Sequence, residues 1–387
     1  MDPWMEATET ETASIVAAAA KLIGRGLSEP ADLGGSTRST VLRVRTADGG
    51  SVVIKKYADP EGAGAAFTAE ASGLSFAGSG PRLLAADPEF PMVVLEDLGS
   101  HPSLADRLLG DSAESADGAL REWASCYGRL AGKTVGREAE LDRLIEKYGR
   151  GRHRDPETFG DRLIRHSNAF SLRMTELGLA VPDGLDDEIA GISRLLTADD
   201  HRVFSPGDIC PDNNLLTDRG LRMLDFEGAS FHSVFLDAAY ARMPFATCWC
   251  VYALPGGLAA EIEEHYRAEV VRAFPDLADD RIWRPGMHAA VAFWTVCMSA
   301  LLLGRVMAEQ PADRQPEDGP EDEQPSADAG SRSHVRQILR YRWQSLLDQL
   351  EAQGELPALS TAMRALLAAT AGWRIERLPL YPAFRGR

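Results

Sequence analysis

Basic residues are scarce in this chain. Against 58 Asp and Glu there are 41 Lys and Arg, a formal charge of −17 over 387 residues. That deficit argues against nucleic acid or an anionic membrane surface as a partner, because phosphate contacts need clustered Lys and Arg. Cysteine is scarce as well: Cys126, Cys210, Cys248, Cys250 and Cys297 form no repeated Cys-x-x-Cys pair. The odd number argues against a complete disulfide framework, so a reducing, cytoplasmic setting is expected. No apolar run reaches the roughly 18 to 20 residues that span a bilayer. The most apolar stretch, 289–304, runs straight into Arg305 and reads as a buried helix. The opening residues, MDPWMEATETETAS, are acidic where a secretory signal needs a basic start, so no export signal is expected.

What is present is ample apolar material, 44% of the residues, enough for about two domains at this length. Near the N-terminus Val41, Leu42 and Val44 lead through Asp48-Gly49-Gly50 to Val52, Val53 and Ile54, which reads as a hairpin. Residues 67–76 then read as a helix and 91–99 as a further strand. Helical patterns dominate beyond residue 115, apart from a hairpin-like stretch at 202–226. This order, a small strand-rich part followed by a larger helical part, predicts an α+β bilobal protein with lobes at 1–98 and 99–307. Residues 308–333 are rich in Pro, Glu, Asp, Gln and Ser without an aromatic, and are expected to form a disordered acidic linker. A helical extension is expected over 334–387, where Ile338, Tyr341, Leu346 and Leu350 recur at near-helical spacing.

The most informative stretch is 203–237, VFSPGDICPDNNLLTDRGLRMLDFEGASFHSVFLD. Asp208 is followed five residues later by Asn213, and after a strand-turn-strand pattern by Asp225-Phe226-Glu227. Phosphoryl transfer requires one carboxylate to orient the attacking hydroxyl and oxygen ligands to hold Mg2+ on the phosphates. Asp208 suits the first role, and Asn213 and Asp225 the second. The turn Thr217-Asp218-Arg219-Gly220 would bring Asn213 and Asp225 to the same end of a hairpin.

Lys55, at a strand end ahead of a helix bearing Glu70, is the expected contact to the nucleotide phosphates, held by that glutamate. Strand alternation leaves Lys55 and Lys56 open, because Val52, Val53 and Ile54 are all apolar. The loop 34–39, with Gly35 and Ser36, would cover the phosphates, although it is neither a GxGxxG nor a Walker loop. Asp237 is expected to cap the helix that follows it. Cys248 and Cys250 read as core or pocket lining, and His232 and His288 as structural histidines.

These residues resemble the aminoglycoside phosphotransferase and choline kinase-like family over roughly residues 30–305. Its catalytic segment reads His-Gly-Asp-x4-Asn and then Asp-Phe-Glu or Asp-Trp-Glu. Here it stands as Pro206-Gly207-Asp208 through Asn213, then Asp225-Phe226-Glu227, with Pro206 in place of the histidine. The resemblance implies a protein-kinase-like fold and a hinge at 94–99, where Glu96 and Leu98 would meet the nucleotide base. It also implies ATP or GTP as co-substrate with Mg2+, and a small hydroxylated acceptor of aminoglycoside-like, amino-alcohol or sugar type. The alternative is a non-catalytic nucleotide-binding scaffold, for which Pro206 is the main support.

Overall fold

In the computed structural model, residues 3–36, 38–58, 63–149, 159–197, 200–245, 247–308, 327–373 and 376–386 are described. The chain forms two compact units. One gathers residues 1–104, 129–160 and 203–231, and the other 105–128, 161–202 and 232–387.

The first unit opens with α1 (Pro3–Ile23), followed by β1 (Leu27–Ser36), β2 (Ser39–Thr46) and β3 (Ser51–Tyr57). Then come α2 (Ala63–Ala77), β4 (Leu83–Asp87) and β5 (Met92–Glu96). The five strands form one antiparallel sheet in the order β1-β2-β3-β5-β4. Alternation along β2 and β3 turns Leu42, Val44, Val52 and Ile54 to one face, where α1 covers them with Ile15 and Ala19, one helical turn apart. Burying each large aliphatic side chain in such a core contributes about 1.5–3 kcal/mol.

The opposite face, carrying Val41, Val53 and Lys55, is left to line a pocket. Ile54 is fully buried, so Ile54→Ala is expected to cost about 2–5 kcal/mol. Urea unfolding measures this, and a loss below about 1 kcal/mol would show that α1 does not seal the sheet.

α3 (Leu104–Leu109), α4 (Ala113–Thr134), α5 (Glu138–Gly149), α6 (Phe159–Asn168), α7 (Phe170–Glu176) and α8 (Leu185–Ser193) come next. They are followed by four short strands: β6 (Arg202–Ser205), β7 (Asn214–Thr217), β8 (Gly220–Met223) and β9 (Ser230–Ser233). The expected hairpin is present: β7 and β8 pair from Asn214↔Met223 to Thr217↔Gly220.

This hairpin belongs to the sheet's unit, so the division after residue 98 does not follow the compact units. The reason is local hydrogen bonding. Leu216 N–H donates to the Pro102 carbonyl at 2.8 Å and Met223 N–H to that of Ser79 at 3.2 Å. Arg222 binds the Gly80 carbonyl.

The second unit continues with α9 (Val234–Ala238), α10 (Leu258–Val270), α11 (Asp280–Ala308), α12 (Ala327–Gln353) and α13 (Pro357–Ala369). α11 is the one described helix long and apolar enough to cross a membrane, but 72% of its apolar window is buried within the fold. Its Trp294 donates to the Leu236 carbonyl at 2.9 Å, and its Ser299 accepts from Trp343 of α12 at 2.8 Å. Of the expected linker, 309–326 lie outside the described residues; Ala308 ends α11, and α12 begins at Ala327, inside the linker range. The expected tail helix is α12, with Ile338, Leu346 and Leu350 buried. Glu188 of α8 accepts the N–H groups of Ala358 and Leu359 at 3.1 and 2.8 Å, satisfying the free donors at the start of α13.

Candidate active site

A cavity of about 560 Å³ opens on the pocket face of the sheet, wholly within the first unit. Its roof comes from Gly34, Gly35 and Arg38, its rear from Val53 and Lys55, and its far edge from Leu95 through Gly99. Asn213, Leu215, Asp225 and Glu227 close the other side.

The structure chooses between the two lysines. Lys55 shares the parity of Val53 and points into the cavity, whereas Lys56 turns away, over the Phe90 ring at 4.5 Å. The Lys55 ammonium lies 3.1 Å from Glu70 Oε2 and 2.8 Å from Asp225 Oδ1. Glu70 is carried by α2 on the inward face it shares with Phe67, Ala71 and Leu74. The same Glu70 oxygen accepts the Phe226 N–H at 2.8 Å. One carboxylate thus ties the sheet lysine to the Asp-Phe-Glu segment.

Burial works against the Lys55 ammonium, but Glu70 with Asp225 outweighs it and holds the lysine well above its usual range. Burial pushes Glu70 up to about 7 against the pull of Lys55. Asp225 is also desolvated, yet Lys55 keeps it below the usual carboxylate range. Glu227 is raised, first by burial and then by Asp225.

Asp225 has φ of +58°, a left-handed conformation that costs a non-glycine residue of order 1–3 kcal/mol and gathers at functional sites. Leu224 N–H donates to the Asn213 carbonyl at 2.7 Å, which sets Asn213 beside Asp225 as the hairpin predicts. Asn213 Nδ2 donates to the Asp208 carbonyl at 3.1 Å. Its amide oxygen and the Asp225 carboxylate, 29% exposed, are hard oxygen donors that suit a divalent cation such as Mg2+. Asp208 stands on this same loop but does not line the cavity; its charge is felt at Glu227.

Gly207, between Pro206 and Asp208, has φ of +92°, and a Cβ there would sit 2.5 Å from the Gly228 carbonyl oxygen. Only glycine allows that approach. The fully buried Ser205 accepts the Gly207 N–H at 3.1 Å, and Thr134 accepts the Phe204 N–H at 3.3 Å. The loop is therefore held from both sides with proline at 206.

Gly35 lines the cavity, and a Cβ there would meet the Ser39 carbonyl oxygen at 2.3 Å, so glycine permits the hairpin's close turn. Thr37 and the side chain of Ser36 lie outside what is described. Glu96 and Leu98 line the cavity edge. Next to them Asp97 is anchored by Arg43 at 2.8 Å and Ser51 at 2.6 Å.

Sequence reasoning missed Arg38, which reaches from the hairpin turn to Glu227 at 2.9 Å. Its signal was present, as the single cation within 34–39. The capping role expected of Asp237 is not observed: Ser233 precedes α9, while Asp237 lies within it, buried, its carboxylate 3.0 Å from His232 Nε2.

No family model matches the chain, and no curated protein does. Among solved structures, choline kinase from Cryptosporidium parvum Iowa II is similar at a TM-score of 0.52 with 13% identity, over 87% of this chain and 93% of that one. The fold is protein-kinase-like. A choline/ethanolamine kinase family protein from Mesorhizobium loti is similar at 0.49 with 15% identity, over 88% of this chain and 92% of its own. An amicoumacin kinase in complex with AMP-PNP, Ca2+ and Ami gives 0.49 with 12% identity, over 88% and 95%. The second unit has a cavity of its own, about 420 Å³. The charges there pair among themselves, Arg242 with Glu263 at 2.6 Å and Arg267 with Asp280 at 2.8 Å.

Proposed function

We propose that the protein is a small-molecule kinase that transfers the γ-phosphate of ATP or GTP to a hydroxyl of an amino-alcohol, aminoglycoside-like or sugar acceptor. The observation that carries this reading is the ion-pair network of Lys55 with Glu70 and Asp225, set beside Asn213 in one cavity. In it Lys55 binds the nucleotide phosphates, oriented by Glu70, while the backbone at Glu96 and Leu98 receives the base. Gly34, Gly35 and Ser36 cover the phosphates from the hairpin. Asn213 and Asp225 hold Mg2+, which when bound neutralises charge on the transferring phosphoryl group. Asp208 orients the acceptor hydroxyl and takes its proton. The fold shared with a choline kinase supports a small-molecule acceptor.

A scaffold without turnover is less well supported, because Ser205 and the Gly207–Gly228 approach hold the loop with proline at 206. The deciding experiment incubates the protein with Mg2+ and ATP or GTP against aminoglycosides, other hydroxylated antibiotics, amino alcohols and sugars, with each acceptor read by mass spectrometry. A phosphate-sized gain that is lost in Asp208→Ala supports the kinase. Clear nucleotide binding with no gain on any acceptor favours the scaffold.

The burial of Glu70 adds a pH dependence. Below about 7 the carboxyl takes a proton and Lys55 loses that counter-charge; above it the pair is fully ionic. Nucleotide affinity is expected to rise between pH 6 and 8 more steeply in the wild type than in Glu70→Gln, as measured by fluorescent-nucleotide titration. Equal slopes in the two proteins would remove Glu70 as the titrating group.

A further inference from the structure

The loop that precedes α10 carries two of the five cysteines. Cys248 and Cys250 place their sulfurs 2.8 Å apart, while Trp249 between them is 67% exposed. Both thiols are buried while the indole between them is exposed. Burial of apolar surface alone would favour the reverse, with the large indole inside and the small thiols outside. The geometry is held by the backbone: Cys248 N–H donates to the Phe245 carbonyl at 3.0 Å, and Cys250 N–H meets Cys248 Sγ at 3.4 Å. Phe245 itself is left-handed at φ +55°, which turns the chain just ahead of the pair. A disulfide places its sulfurs about 2.05 Å apart, so these have roughly 0.8 Å left to close.

We propose that Cys248 and Cys250 form an oxidisable dithiol, a modification site at which a hydroperoxide produces a reversible intra-loop disulfide. Cys248 is the entry point, being 8% exposed against 1% for Cys250. Its sulfur attacks one peroxide oxygen, the O–O bond breaks, and the products are a sulfenic acid and water or an alcohol. Cys250 sulfur then attacks Cys248 sulfur, the S–S bond forms, and the sulfenic oxygen leaves as water. The two sulfurs together lose two electrons, the peroxide gains them, and both thiol protons end on the departing oxygens. Cys297 does not compete, because burial pushes its thiol up to about 12.

The test treats the folded full-length protein with equimolar hydrogen peroxide, blocks remaining thiols with N-ethylmaleimide and maps tryptic peptides. Residues 243–267 form one such peptide, with both cysteines and no other. The expected result is a peptide lighter by two hydrogens that carries no maleimide, with both thiols recovered by dithiothreitol. In Cys250→Ser, Cys248 is expected to remain a sulfenic acid that dimedone traps. Full maleimide labelling of 243–267 while other cysteines are oxidised would overturn the proposal. So would a disulfide from Cys248 to a different peptide, or the same yield of irreversible sulfinic acid in wild type and Cys250→Ser.

Discussion

Asp208→Ala is expected to lower phosphoryl transfer by about 10²–10⁴-fold, the range for removing a general base, while nucleotide affinity stays within about twofold of wild type. The separation of the two effects follows from placement. Asp208 does not line the cavity that Lys55, Glu96 and Asp225 enclose, so on the proposed reading its loss leaves the nucleotide's surroundings in place. It sits one residue past Gly207, on a loop fixed by the Gly207 N–H to Ser205 and by Asn213 Nδ2 to its own carbonyl. Truncating the side chain leaves both anchors intact and gives up the long contact of its Oδ1 with the Cys210 N–H, at 3.4 Å. Single-turnover assays and a nucleotide titration on the same preparation read the two quantities. A variant that loses nucleotide binding in step with turnover would place Asp208 in the nucleotide site and defeat the assignment.

Lys55→Met is expected to abolish measurable turnover and to destabilise the fold by about 3 kcal/mol. Removing one partner of a buried ion pair strands the others, a cost of about 3–5 kcal/mol when all are buried, and Asp225 at 29% exposure lowers it. Glu70 and Asp225 would then face each other without a cation between them. Without Lys55 the buried Glu70 takes a proton and Asp225 is the charge left stranded, so the double variant Lys55→Met/Asp225→Asn should regain much of the stability and none of the activity. Urea midpoints and transfer assays on the four proteins of this cycle check it. If stability and activity return together, Lys55 acts only through packing.

The motif at 203–237 carried most of what could be read in advance, because Asp208, Asn213 and Asp225 flank one hairpin whose turn and apolar positions are local. The choice between Lys55 and Lys56 was not local. It depends on which face of the sheet α1 covers, and α1 begins in an acidic, polar stretch with little apolar pattern before Ile15. Arg38 was passed over because nothing near it in sequence announces Glu227, 189 positions on. Asp237 was misassigned for a related reason. A carboxylate ahead of a helix reads as a cap, but the helix starts earlier than its pattern shows, and His232 takes the oxygen instead.

The Lys55 network also has an order in time. Glu70 follows Lys55 by 15 residues, whereas Asp225 follows it by 170. At a synthesis rate of roughly 5–20 residues per second, a ribosome makes the lysine about 10–30 s before its second partner. During that interval the Lys55–Glu70 pair is the only part of the network that the nascent chain can form. The emerging chain therefore has a counter-charge available for the lysine early, and the proposed nucleotide site is complete only when the segment bearing Asp225 has left the exit tunnel.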